Sequence, residues 1–183
     1  TRVRDWIFRE QRFGLIDVHQ RDWDEPAGNG GFLFNGGRAY IDMGHLEYCT
    51  PECKSLVDIL RYDSAGDAIL LQAVKDLKME HDVNFIRNNI DHYSGATFGC
   101  HENYLVRRAA PLTEANVHSL LAFLTLRLLY VSAGRVGATL AAESRGELTR
   151  PGADNVFQIS QRADYINNDL FEWVQFNRAI INT

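Results

Sequence analysis

Apolar and polar positions along the chain fall into patterned stretches separated by turn-rich segments. Gly31 to Asp42 (GFLFNGGRAYID) predicts a β-hairpin, because Asn35-Gly36-Gly37 supplies residues that tolerate the positive φ of tight turns. In its second half the alternation is clean. With a period of two, Ala39 and Ile41 face one way and Arg38, Tyr40 and Asp42 the other. Ser64 to His81 predicts a helix, capped by Ser64 with Asp67 three residues on, and with Ala65, Ile69, Leu70, Ala73, Val74 and Leu77 as its core stripe. Val83 to Ile90 reads as a strand, Asp91 to Ala96 as a turn, and Thr97 to Val106 as another strand. That last strand would place Gly99, His101 and Asn103 on one face and Cys100, Glu102 and Tyr104 on the other.

Thr113 to Val131 predicts a second helix, capped by Thr113, with Val117, Leu120, Leu121, Leu124, Leu128 and Val131 as its stripe and Ser132-Ala133-Gly134 as its stop. Arg135 to Asp154 reads as loop. Val156 to Tyr165 alternates again, with Gln158, Ser160, Arg162 and Asp164 on one side. Thr1 to Asn29 has no clear period, and Asp22 to Gly31 (DWDEPAGNGG) reads as a mobile loop, either a lid for a neighbouring active site or an ordinary connector. Strands with one polar face and helices between them predict an α+β domain. Its sheet would be concave and largely antiparallel, with helices packed on one side and a polar surface on the other.

Composition and charge act mainly by exclusion. The chain has 183 residues, 45% of them hydrophobic and 23% charged, which is a globular balance. Nineteen Lys and Arg against 24 Asp and Glu leave a net charge of −5, a poor footprint for nucleic acid, and no basic stripe offsets it. The longest apolar run, Leu120 to Val131, contains Arg127 and falls short of the roughly 20 residues a membrane span needs. Three cysteines (Cys49, Cys53, Cys100) suggest free thiols in a reducing, cytoplasmic compartment rather than a disulfide framework.

The densest candidate chemistry is Arg38 to Glu52 (RAYIDMGHLEYCTPE), with Asp42, His45, Glu47 and Glu52 close together and no Lys among them. Such carboxylates either form a solvated acidic turn or hold a hard cation such as Mg²⁺ together with phosphate oxygens and water. A zinc site from His45, Cys49 and Cys53 lacks the usual spacing and a fourth ligand, so cysteines as small buried residues are the better reading. A second cluster runs from Gly99 to Asn103. A third contains Arg162, whose guanidinium suits a phosphate. Walker, GxGxxG and GxSxG motifs are absent.

Taken together and in order, NGGRAYIDMGHLEYCTPEC, FGCHENYLVRR, SAGRVG, FQISQRADY and the terminal IINT resemble the family of Pup ligases and depupylase/deamidases, Pup being the prokaryotic ubiquitin-like modifier. The motifs span roughly Gly30 to Thr183. The resemblance implies a glutamine-synthetase-like, carboxylate–amine ligase fold that holds ATP and Mg²⁺. It makes the chain part of one catalytic domain, with residues 1–29 poorly matched and 30–183 the family-like core. By motif position it implies Asp42 as catalytic, Tyr40, Glu47 and His101 as metal-binding, and Arg38, Thr50, Asn103 and Arg162 as nucleotide contacts. Arg127 matches an Arg ahead of the family's Ala-Gly turn.

The implied partners are a Pup-like modifier and its lysine-linked conjugates. The implied reaction is either hydrolysis of the isopeptide bond or C-terminal amide, or formation of that bond through a glutamyl phosphate. A non-catalytic module that only binds the modifier is a third reading. The Asp42-Met43-Gly44-His45-Leu46-Glu47 spacing is one residue shorter than in the usual ligase motif and leans to the depupylase. Gly99-Cys100-His101-Glu102 and Thr50-Pro51-Glu52-Cys53 lean to the ligase. Thr1 to Phe13 lacks the family's Gly-x-Glu strand, and the family continues past the terminal IINT. A fragment of a longer protein is therefore expected.

Overall fold

The computed structural model describes residues 1–21, 25–42, 44–87, 89, 98–109, 113–136, 157–162, 166, 168–171 and 179–182. They belong to two compact units, Thr1–Ile86 and Arg87–Thr183.

The first unit starts with a short helix, α1 (Arg2–Asp5), that widens into a π-helical turn over Trp6–Glu10, where Gln11 N donates to Trp6 O at 2.9 Å. Strands β1 (Gly14–Ile16), β2 (Gly30–Leu33), β3 (Arg38–Asp42) and β4 (His45–Cys49) follow, then helix α2 (Leu56–Asp76). The sheet order is β1-β2-β3-β4, antiparallel throughout. The predicted hairpin is β2–β3. Gly36 sits in its turn at φ 90°, and Asn35 Oδ1 accepts from Gly37 N at 2.8 Å.

The register decides what each face carries. Gly31 pairs with Ala39 and Ala39 with Tyr48; Ile16 pairs with Gly31. This is the apolar face, and it meets Trp6, Ile7, Phe8, Leu33 and Ala73, with Val3, Ile16, Tyr48, Ile69 and Leu77 packed around them. The helices therefore cover one side of the sheet. The other side carries Phe32, Arg38 and Cys49 in one cross-strand row, Gly30, Tyr40 and Glu47 in the next, and Asp42 with His45 in a third.

Helix α2 departs from the sequence expectation at its start. The predicted cap was Ser64, but Ser55 caps the helix by accepting from Asp58 N at 3.1 Å, nine residues earlier. The Ser-x-x-Asp signature occurs at both places. The apolar residues of the added turns (Leu56, Val57, Ile59, Leu60) are exposed and follow no core-facing stripe, so periodicity did not reveal them. Of the predicted stripe, Ala73 and Val74 are buried, while Ile69 and Leu77 pack against the core. The strand β4 and the N-terminal elements were not anticipated, although Trp6, Ile7 and Phe8 are the heart of this core.

In the second unit, α3 (Glu114–Leu126) is capped by Thr113, whose Oγ1 accepts from Asn116 N, and α4 (Leu128–Val131) continues it after a break at Arg127. Val117, Leu120, Leu121, Leu124 and Leu128 are half-buried, and Val131 is exposed. The predicted stripe thus forms except at its last position. Strand β5 (Arg135–Val136) pairs antiparallel with β6 (Phe157–Gln158). Strand β7 (Asn168–Phe171) runs parallel to β8 (Ala179–Asn182). The expected strands over 83–90 and 97–106 do not form among their described residues, which pair in no ladder. Among the described residues 157–162 of the expected 156–165 strand, only Phe157–Gln158 is paired. The 91–96 turn and the greater part of the 135–154 loop lie outside the described residues.

Candidate functional site

The polar face of the first sheet gathers four of the residues singled out from sequence. Tyr40 and Glu47 are direct cross-strand partners, and Tyr40 Oη donates to Glu47 Oε2 at 2.6 Å. Arg38 lies one row along, its guanidinium carbon 4.1 Å from the Tyr40 ring centroid and 5.8 Å from that of Phe32. Arg38 Nη2 donates to Glu25 Oε2 at 2.8 Å. Asp42 completes the β3 edge opposite His45, within hydrogen-bonding reach of Glu47.

The electrostatics of this group are lopsided. Partial burial pushes the Asp42 carboxyl above the usual carboxylate range, and the neighbouring charges of Glu47 and Glu25 push it further, against a smaller opposing effect of His45. Burial and the Glu47 hydrogen bond hold the Tyr40 phenol in its neutral, donating form, with its pKa raised. The cysteines are not buried as expected, Cys49 and Cys100 being exposed and Cys53 half-buried, but desolvation around the Cys49 sulfur still raises the pKa of its thiol, which makes a thiolate nucleophile there a poor reading. Thr50 is exposed one residue beyond β4, outside the Arg38–Tyr40–Glu47 rows.

This donor set fits magnesium carried with a nucleotide. Asp42 and Glu47 are hard oxygen donors whose mutual repulsion a divalent cation would relieve, and Mg²⁺ commonly takes one or two carboxylates and completes its shell with phosphates and water. Among the described residues no cluster of three or more His, Cys, Asp or Glu side chains is arranged to hold a metal alone. An all-protein zinc cage from His45, Cys49 and Cys53 is therefore not formed, and Cys53 Sγ instead donates to Pro51 O at 3.2 Å.

Beside this face the loop after β1 is tied down by Asp17. Its carboxylate accepts from Arg21 Nε at 2.6 Å and from His19 N at 3.1 Å, with His19 Nδ1 3.0 Å away. These bonds, the His19 backbone first, lower its pKa to about 2. Neither Asp17 nor Glu25 was singled out from sequence, since both sit in a segment without periodicity.

In the second unit, His101 and Arg162 meet at Gly99. A Cβ placed on Gly99 would lie 3.2 Å from His101 Nε2 and 3.4 Å from Arg162 Nη1. Arg162 also donates to Phe98 O at 3.1 Å. The absence of a side chain at Gly99 is what admits both groups. Asn103 is exposed in the extended segment that follows. Arg127, at the break between α3 and α4, is committed to Glu102 through two contacts of 2.9 Å, and Tyr104 Oη also donates to that carboxylate. Arg127 holds the Glu102 carboxyl below its ordinary pKa.

The class defined by these features is an α+β protein whose antiparallel sheet covers its core on one face and displays paired carboxylates, a phenol and a guanidinium on the other. The family model described as Pup-ligase protein matches residues 4–183, and the chain belongs to that family. It is 39% identical over 154 residues to a depupylase of Acidothermus cellulolyticus, covering 82% of this chain and 28% of the relative. It is also 39% identical over 160 residues to a Pup–protein ligase of Corynebacterium kroppenstedtii, covering 83% and 32%. The Pup deamidase/depupylase of Mycolicibacterium smegmatis is 34% identical over 165 residues, covering 88% and 31%. The solved structure of the Pup ligase PafA in complex with ADP superposes with a TM-score of 0.59 at 32% identity, covering 87% of this chain and 32% of that one. The chain thus spans about a third of the length of these relatives.

Proposed function

We propose that this chain supplies the nucleotide- and magnesium-binding sheet of a depupylase/deamidase, part of one glutamine-synthetase-like catalytic domain that hydrolyses the isopeptide bond or C-terminal amide of a Pup-like modifier. The observation that carries the reading is the Asp42–Glu47–Tyr40 group: two neighbouring carboxylates on the polar sheet face, one of them oriented by a phenol. Mg²⁺, when bound with ATP, supplies neutralisation of phosphate charge. Asp42 and Glu47 would hold it, with Tyr40 fixing the Glu47 carboxylate, and Arg38 would meet the nucleotide. His101, Asn103, Thr50 and Arg162 are assigned to the same ligands by motif position, and the shared approach of His101 and Arg162 to Gly99 supports the first and last of these.

Asp42 is the proposed catalytic residue. Raising a carboxyl's pKa makes its carboxylate a stronger base. In the hydrolase Asp42 takes a proton from water attacking the isopeptide carbonyl, or attacks that carbonyl itself. A ligase is the second reading, favoured by Gly99-Cys100-His101-Glu102 and Thr50-Pro51-Glu52-Cys53. There Asp42 would accept the proton of an incoming lysine amine. Incubating the protein with Pup conjugate and ATP separates the two directions. Disappearance of the conjugate, lost in Asp42→Asn, is the expected result. A growing conjugate band from free Pup and target marks a ligase. Equal turnover by wild type and Asp42→Asn removes the role assigned to Asp42.

A further inference from the structure

The Glu25 carboxylate occupies the Arg38 guanidinium on the polar face. Its Oε2 accepts from Arg38 Nη2 at 2.8 Å, and both side chains are about four-fifths covered, 20% and 21% exposed. The engagement is one-pointed. Glu25 takes a single guanidinium nitrogen, while the buried Arg38 Nε has no acceptor among the described residues. The plane of the fork is already set by the Tyr40 and Phe32 rings it stacks against. The other guanidinium over Phe32, that of Arg21, is held by Asp17 at 2.6 Å and is not in competition.

We propose that Glu25 is a resident competitor for phosphate: its carboxylate occupies Arg38 in the nucleotide-free protein, yields that place to a phosphate oxygen of the bound nucleotide, and so sets nucleotide affinity. This rests on the reading of Arg38 as a nucleotide contact. A guanidinium is a planar fork suited to two-pointed partners, and a polyphosphate offers several oxygens that can take Nη2 and Nε together. The exchange needs only the Glu25 side chain to turn outward. The backbone beside it is fastened separately, with Gly28 N donating to Asp17 O at 2.8 Å, Asn29 N to Pro26 O at 3.0 Å and Arg4 Nη1 to Gly28 O at 3.0 Å. Departure of Glu25 also withdraws one of the negative charges acting on Asp42.

The test is calorimetric titration of Mg·ADP into the full chain as wild type, Glu25→Gln, Arg38→Gln and the double variant. Gln keeps the Glu25 shape and removes its charge. Glu25→Gln is expected to bind Mg·ADP roughly three- to tenfold more tightly. Arg38→Gln is expected to bind more weakly, and the gain from Glu25→Gln to vanish in the double variant. Glu25→Asp, shorter by one methylene, is expected to give an intermediate gain and serves if the Gln variant does not fold. Weaker binding in Arg38→Gln with unchanged or weaker binding in Glu25→Gln overturns the proposal and leaves the Arg38 assignment standing. Unchanged affinity in Arg38→Gln overturns both.

Discussion

Replacing Gly66 by Ala sets two effects against each other. In a helix interior Ala is favoured over Gly by about 1 kcal/mol. At this position, however, α2 crosses β4 at close range. A Cβ on residue 66 would lie 2.5 Å from Tyr48 Cδ1 and 2.6 Å from Cε1. That is about an ångström inside ordinary carbon–carbon contact. The ring has little freedom to move aside, because Tyr48 Oη donates to Tyr62 O at 2.8 Å and the ring packs against the core. Overpacking costs about 1–3 kcal/mol, and straining the Tyr48–Tyr62 bond costs about 1 kcal/mol more. Net destabilisation is therefore about 1–3 kcal/mol, and each kcal/mol lowers Tm by roughly 4–8 °C for a unit of this size. Because Tyr48 lies between Glu47 and Cys49 on β4, the shift would also disturb the polar face. Thermal melts of Gly66→Ala in the wild-type and Tyr48→Ala backgrounds check this. In the second background the obstruction is gone, and the Ala is expected to be neutral or stabilising. A higher Tm for Gly66→Ala in the wild-type background would refute the packing argument.

Tyr40→Phe removes the donor to Glu47, a hydrogen bond to a charged group worth about 1.5–3 kcal/mol, so Tm is expected to fall and Mg²⁺-dependent nucleotide binding measured by calorimetry to weaken at least several-fold. Asp17→Asn should lower Tm near neutral pH. The folded Asp17 pKa is about 2, below the unfolded value near 3.9, so its stabilisation is present above pH 4 and lost as pH falls toward 2. The gap between the two melting curves is therefore expected to close over that window. Arg127→Ala should destabilise the second unit by no more than about 1 kcal/mol, since the two side chains are 32% and 43% exposed, with a loss of protection at 101–106 in hydrogen exchange.

The hairpin and its faces were legible because period two leaves no choice once the turn is recognised. Asn35-Gly36-Gly37 set the turn, and Ala39 and Tyr40 then had to face opposite ways. Cross-strand partners were not legible. Nothing in Glu47 itself says that it lies opposite Tyr40, because that depends on how the chain reverses between β3 and β4, where Gly44 sits at φ 90°. Trp6, Ile7 and Phe8 are consecutive, a spacing with neither a helical nor a strand period. A π-helical turn, wider than 3.6 residues, is what lets three neighbours enter one core. The start of α2 was obscured by two copies of one capping signature. Asp17 and Glu25 act through tertiary contacts from a loop, and only coordinates reveal such contacts.

The account turns on the Asp42–Glu47 pair holding a cation beneath a nucleotide. Titrating Mg²⁺ into the chain at fixed ATP, for wild type and Glu47→Gln, tests it most directly. Nucleotide binding by the wild type should strengthen with Mg²⁺, and Glu47→Gln, with an unchanged circular dichroism spectrum, should lose most of that strengthening. The same Mg²⁺ dependence in both proteins would contradict the assignment.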